Sequence, residues 1–507
     1  MVNQRKTGAT LSYIYIILNS GISILYTPLM LDLMGKSEYG LYTLIASVIA
    51  YLSVLDMGFG NAIIRYTAKY RALNDKDGEY KLNGMFLVLY TIIGIVAFGI
   101  GMGLYANVDA IFGASLTPSE LDTAGILMLI LVFNVAISFP LSIFGAIITA
   151  YEQFVVPKVL NIIRAILQPG IMIPLLLLGY KSVAMVIVTT VLNILILLFN
   201  LVYCFKKLKI KINIAKPDTR LLREICAYSF YILLNLIVDK IYLSTDKFIL
   251  GIVAGTAAVA VYGIAMQLYD YYVLFSTSIN GVFLPRITEM VVKGADDEEI
   301  SNLFIKIGRI QFMVMALILT GFVVVGRDFI IRWAGPDYEQ AYIIELILMV
   351  PALVPLVQNT GISILQAKNI HKFRSVVYLF VAIANIFLSI PLAKEYGGIG
   401  AAIGTALATC IGQIIVMNIY YHKKAKLNII KFWKEICKLL PPVVVCLLVG
   451  VGLNVLWISS SYVAIFVKGI CCVAVYAIIL WLFCMNEYER ELIKKPVGKV
   501  IRKVKRG

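Results

Sequence analysis

Charge is scarce in this chain. Of its 507 residues only 15% are Asp, Glu, Lys or Arg, against about 25% in an ordinary soluble domain. That deficit excludes a disordered chain, which needs charge in place of apolar residues, and an ordinary cytosolic enzyme. Histidine is nearly missing: His371 and His422 leave no room for a histidine-rich metal site. The eight cysteines contain no CxxC and lie in or beside apolar runs. They read as small packing residues, so neither disulfides nor metal are expected. HExxH, Walker A and GxSxG are absent, as is a cysteine–histidine pairing. The chain is therefore not read as an enzyme. It needs no resident cofactor on this reading, and it has no nucleotide site with which to use ATP itself.

What is abundant is apolar sequence, 61% of residues, with a mean hydropathy of +0.89. Apolar runs fall near 10–34, 40–62, 84–106, 121–149, 157–179, 181–204, 225–250, 256–284, 307–331, 343–365, 375–394, 397–421, 436–457 and 462–484. Each is long enough to cross a bilayer as a helix, which takes about 20 residues. Backbone polar groups cannot go unpaired in lipid, and a barrel would show alternating segments of about ten residues. The expectation is an all-α polytopic membrane protein with fourteen transmembrane helices. The opening MVNQRKTGAT leads into a long run without an A-x-A site, so the first run is expected to be a retained span.

The formal net charge is +16. Nucleic acid is not the implied partner, because the basic residues fall in short clusters between apolar runs. With alternating spans, 36 of the 45 lysines and arginines lie on one side, five on the other and four inside spans. Positive residues resist translocation, so the richer side is cytoplasmic and both ends face it. The same clusters suit anionic lipid head groups. No loop is long enough for a catalytic ectodomain.

The first six spans resemble the next six. Tyr39-Gly40-Leu41-Tyr42 opens span two as Val261-Tyr262-Gly263 opens span eight. Arg65 and Arg286 close them, Gly145 matches Gly361, and Lys206-Lys207 matches Lys423-Lys424. Six spans is an even number, so the halves share one orientation and form a parallel repeat. The expected organisation is an N-lobe over 1–210, a C-lobe over 211–430, an extra helix pair over 431–484 and a basic cytoplasmic tail over 485–507.

Charge inside a span costs about 2.5–3.5 kcal/mol on insertion scales and needs a partner or water. Span seven departs most from its neighbours. At 100° per residue, Asn235, Asp239, Tyr242 and Asp246 share one stripe, and Lys240, Ser244 and Lys247 the next. Either the lysines bind an anionic group while Asp239 and Asp246 tune or couple them, or the four charges only pair with one another. Arg164, about seven residues into span five, either reaches a phosphate or snorkels to the interface. Asp270, between Tyr269 and Tyr271, suits sugar hydroxyls or a buried polar cluster. Asp56, with Arg65 and Arg286, forms a cytoplasmic gate or sits among ordinary positive-inside residues.

The stretches Tyr39-Gly40-Leu41-Tyr42, Leu55-Asp56-Met57-Gly58-Phe59-Gly60-Asn61 with Arg65-Tyr66, and Asp246-Lys247-Phe248-Ile249-Leu250-Gly251 carry a resemblance. With the six-plus-six-plus-two plan, the chain resembles the polysaccharide transporter branch of the multidrug/oligosaccharidyl-lipid/polysaccharide exporter superfamily. That resemblance implies an O-unit or capsule-unit flippase, related to the lipid II flippase and seated in the bacterial inner membrane. It implies an undecaprenyl-diphosphate-linked oligosaccharide as substrate, and polysaccharide polymerase and chain-length proteins as partners. It further implies two lobes in a V around a cationic cavity of alternating access, with Arg65 at the inner mouth and the span-seven charges on the cavity side. Coupling would run through a proton, a sodium ion or the membrane potential. The lipid II flippase's span-one arginines are not reproduced, which argues against lipid II as cargo.

Two rival readings remain. A multidrug antiporter of the same superfamily would favour a carboxylate-dominated cavity and twelve spans. A membrane polymerase or ligase would need a large outward loop, which is absent.

Overall fold

The computed structural model describes residues 4–214, 219–370, 372–457, 461–492 and 494, without the side chains of residues 5, 6, 9, 228, 231, 235, 243, 282 and 284. The Asn235 side chain and most of the basic tail thus lie outside the described residues. Among the described residues the regular structure is helical throughout. The helices are α1 Gln4–Met34, α2 Lys36–Ala50, α3 Phe59–Ala72, α4 Lys76–Ala106, α5 Val108–Phe112, α6 Pro118–Ala150, α7 Val155–Leu177, α8 Ser182–Lys206 and α9 Thr219–Val253. There follow α10 Gly255–Val292, α11 Asp297–Trp333, α12 Gln340–Val357, α13 Asn359–Ala367, α14 Lys372–Ala408, α15 Met417–Lys423, α16 Ile429–Cys437, α17 Leu440–Leu456 and α18 Tyr462–Ile479.

Helix starts are written locally. Thr117 and Glu120 form a reciprocal capping box, with Pro118 at the first turn of α6. Asp75, Asp296 and Ser461 cap α4, α11 and α18 with their side chains. The second apolar run is broken: a 3₁₀ turn at Tyr51–Asp56 is followed by left-handed Met57 and Gly58. Gly58, at φ 73°, also admits the Ile232 side chain of α9, which would lie 2.4 Å from a Cβ there.

Among the described residues, twelve helical segments are long and apolar enough to cross a membrane, and a thirteenth arises if α9, bent by 43° between Thr219–Ala227 and Ile232–Tyr242, crosses as one span. One of the twelve, Lys372–Lys423, has 52 residues, about 78 Å at 1.5 Å per residue. That is far more than a hydrocarbon core of about 30 Å. Within it Gly397 takes φ 58°, ψ −134° and separates two helical arms, each of crossing length. The chain is a multi-pass membrane protein.

The described residues divide into two compact units, one of 1–263 with 382–401 and one of 264–381 with 402–507. In the first, Phe59, Tyr66, Phe86, Tyr90, Phe139 and Phe144 build an aromatic core where α3, α4 and α6 meet. In the second, Val324, Cys446, Cys472 and Tyr476 join α11, α17 and α18. Large apolar side chains such as Ile17, Phe98, Phe387 and Phe466 are exposed, as expected of faces turned to lipid.

Candidate functional site

In the first unit, α9 carries Asp239, Lys240, Asp246 and Lys247. Val238, Ile249 and Leu250 are buried against the unit, and α9 packs on α2 and α3. That docking leaves Asp239 exposed and Lys240 half-buried. Lys240 has no hydrogen bond or ion pair among the described residues. Asp246 is 2% exposed and accepts the Tyr262 hydroxyl at 2.5 Å. Its neighbour Thr245 meets the Tyr51 hydroxyl of the 3₁₀ turn at 2.5 Å. Tyr242 and Lys247 are half-buried on the same helix.

Arg164 of α7 is half-buried, makes no hydrogen bond or ion pair among the described residues, and interacts electrostatically with Tyr42 of α2. Asp56, at the break in the second run, accepts from Tyr90 at 2.6 Å. Arg65, nearly two turns into α3, is exposed and lies 5.8 Å from the Tyr66 ring, while Tyr66 donates to Glu224 at 2.9 Å. The structure thus joins Asp56 to the aromatic core and leaves Arg65 exposed to its surroundings.

In the second unit, Tyr269 is half-buried and Asp270 exposed, about halfway along the apolar stretch of α10. Arg286, further along α10, is exposed with no ion pair among the described residues. An exposed carboxylate at mid-depth cannot face hydrocarbon without a heavy cost. Asp239 and Asp270, both exposed, and the half-buried Lys240 are therefore candidates for a wet face of the helix that carries them.

Several functional candidates escaped the sequence reading. Glu345 of α12 is completely buried, neither carboxylate oxygen has a hydrogen-bond partner, and its field meets that of Asp270. Its sequence signal is a lone acid in the apolar run Ile344-Glu345-Leu346. Glu79 is also fully buried. It accepts the Tyr151 hydroxyl, and the Arg71 guanidinium stacks 3.9 Å over the Tyr151 ring while bonding the Ala150 carbonyl at 2.8 Å. Burial, and then the Glu79 carboxylate, push the Tyr151 phenol well above its ordinary range. No sequence signal joined residues this far apart.

A bundle of long apolar helices that carry ionisable side chains along their length fits the class of membrane transporters. The protein belongs to the family described as "Polysaccharide biosynthesis protein", which matches residues 6–291. Among curated relatives, a putative O-antigen transporter of Salmonella typhi is 20% identical over 427 residues, covering 82% of this chain and 96% of its own. Its counterpart in Shigella flexneri is 20% identical over 402 residues, covering 76% and 90%. A probable flippase of Haloferax volcanii, AglR, is 23% identical over 406 residues, covering 78% and 79%. In fold, the chain is similar to the lipid II flippase MurJ in an inward closed conformation, with a TM-score of 0.71 at 15% identity over 97% of this chain and 99% of that one. An inward-facing multidrug transporter of the MATE family gives 0.63 at 15% identity, over 81% and 96%.

Proposed function

We propose that the protein is a flippase that carries a lipid-linked oligosaccharide across the membrane for surface polysaccharide assembly. The relatives' names, O-antigen transporter and flippase, support this reading. The observation that carries it is Lys240: a half-buried cation on α9, without a hydrogen bond or ion pair among the described residues. Such a group lacks a structural partner and suits a transient anion. The finer assignment is an undecaprenyl diphosphate carrier. Lys240, Lys247 and Arg164 would meet its phosphates, Tyr242, Tyr269 and Asp270 its sugars, and Arg65 and Arg286 its entry from the inner leaflet. Asp56, Asp239 and Asp246 would hold the neighbouring side chains in place.

A diphosphate and a glycan cannot cross hydrocarbon unaided. A hydrated cationic cavity replaces their water, while the polyprenyl tail stays in lipid. Alternating access, fourteen crossings in a six-plus-six-plus-two arrangement, cytoplasmic termini and a bacterial inner membrane complete the proposal. Polymerase and chain-length proteins would receive the unit on the far side. The driving ion, a proton or sodium, would load at Glu345 beside Asp270, with the membrane potential as the other source of drive.

The test is depletion of the protein in its host. The lipid-linked unit is expected to accumulate in the inner leaflet and surface polysaccharide to disappear. Unchanged levels of both would overturn the proposal.

A further inference from the structure

A shallow groove of about 700 Å³ runs along α16, lined by Ile429, Ile430, Trp433, Lys434, Cys437 and Lys438. The opposite face of α16 is firmly seated. Phe432 is buried and stacks on Phe304 with centroids 4.7 Å apart. On the groove side, Trp433 is itself held in place, its Nε1 donating to Asn418 Oδ1 at 2.8 Å. The groove therefore has a fixed wall and an open side.

Its depth follows from length. Ile429–Leu456 forms a 28-residue candidate span, about 42 Å long. The 17 residues of α17 cover about 25 Å, close to the hydrocarbon thickness of about 30 Å. That places α16 at head-group level, on the side where basic residues concentrate. Ile430 and Lys434 are exposed one turn apart on α16, and Val444, Leu448 and Val451, spaced by four and three residues, are exposed along one face of α17. The exposed α17 face is apolar where acyl chains lie, and α16 is cationic where phosphates lie. Lys434 has no ion pair or hydrogen bond among the described residues. Lys438 is held 2.5 Å from Glu435, whose other oxygen sits 3.3 Å from Arg309. Lys423 and Lys424, exposed at the end of α15, add further positive charge.

We propose that this groove seats one phospholipid with a net negative head group, its phosphate at Lys434 and Lys438 and an acyl chain along Val444 and Leu448. A zwitterionic head group carries its own cation and gains less from the lysines. A free phosphate would leave the apolar stripe unused. A protein partner would have to enter the hydrocarbon. Each lysine near the surface is worth about fivefold in preference for anionic lipid. The site is independent of the transport reading.

The test uses the full chain in nanodiscs, reading the part of the tryptophan emission that Trp433→Phe removes. Brominated phosphatidylglycerol should quench it at a mole fraction at least about fivefold below that of brominated phosphatidylcholine. Lys434→Gln should reduce that preference about fivefold, and Lys434→Arg should keep it. Lys81→Gln, at an exposed lysine of the other unit, should leave it unchanged. Equal quenching by the two lipids, or a preference that survives Lys434→Gln, would refute the site. So would relief by excess inorganic phosphate. Displacement by a trace of polyprenyl phosphate would instead assign the groove to the transported lipid and refute the phospholipid assignment.

Discussion

Arg309 and Glu489 form a double hydrogen bond, Nε to Oε1 at 2.6 Å and Nη2 to Oε2 at 3.0 Å. Both side chains are sealed from solvent, at 4% and 1% exposure. The guanidinium also bonds the Glu435 and Cys484 carbonyls at 2.9 Å each. One side chain of α11 thereby ties α16 and the end of the last crossing helix into a single unit. Removing one partner of a buried pair leaves an uncompensated charge and costs about 3–5 kcal/mol. Glu489→Ala should lower stability by that order in a thermal or denaturant assay. Arg309→Met with Glu489→Met should lose less, because no charge is left behind.

Gly40 meets backbone, where nothing can yield. A Cβ at Gly40 would lie 1.9 Å from the Thr256 carbonyl oxygen. The same contact region holds Thr256 Oγ1 at 2.7 Å from Glu120 and 3.1 Å from the Ser37 hydroxyl. Gly40→Ala should therefore separate α2 from the start of α10 and cost about 1–3 kcal/mol. Gly99→Ala, with open space around it, should be neutral or slightly stabilising. Melting temperatures of the two purified variants decide the matter.

Lys240→Ala should abolish surface polysaccharide display while leaving membrane abundance near wild type, since the side chain makes no structural bond among the described residues. Lys240→Arg should retain part of the display. Immunoblots of the membrane fraction alongside glycan staining separate a binding defect from a folding defect. Normal display by the alanine variant would remove Lys240 from the substrate path.

Glu345→Gln keeps shape and removes the ionisable group from a fully buried site. The variant should fold, and its transport should lose the response to collapse of the ion gradient. An unchanged response would move coupling away from Glu345.

The topology has its own test. In a background without the exposed Cys437, cysteines replacing Asp109 and Asp337 should label with an impermeant reagent from outside. Cysteines replacing Lys76 and Asn428 should not. The reverse pattern would invert the orientation.

The sequence by itself determined the solvent of this protein, its helical class and its helix starts. Apolar run length, positive-residue bias and capping side chains all act within a few residues, so they can be read in order along the chain. The stretch Leu55-Asp56-Met57-Gly58 announced a special point, but its meaning was tertiary: the helix breaks there so that Asp56 reaches Tyr90 and Ile232 fits against Gly58. Span seven shows the same division. Helical periodicity put its charges on neighbouring stripes, whereas docking of α9 decided that Asp246 is buried under Tyr262 while Asp239 is exposed. Glu345 and the Arg309–Glu489 pair depended wholly on folding, because burial and pairing are properties of surfaces that meet only after distant segments pack. Composition set which groups were costly in the membrane, and packing decided which of them received partners.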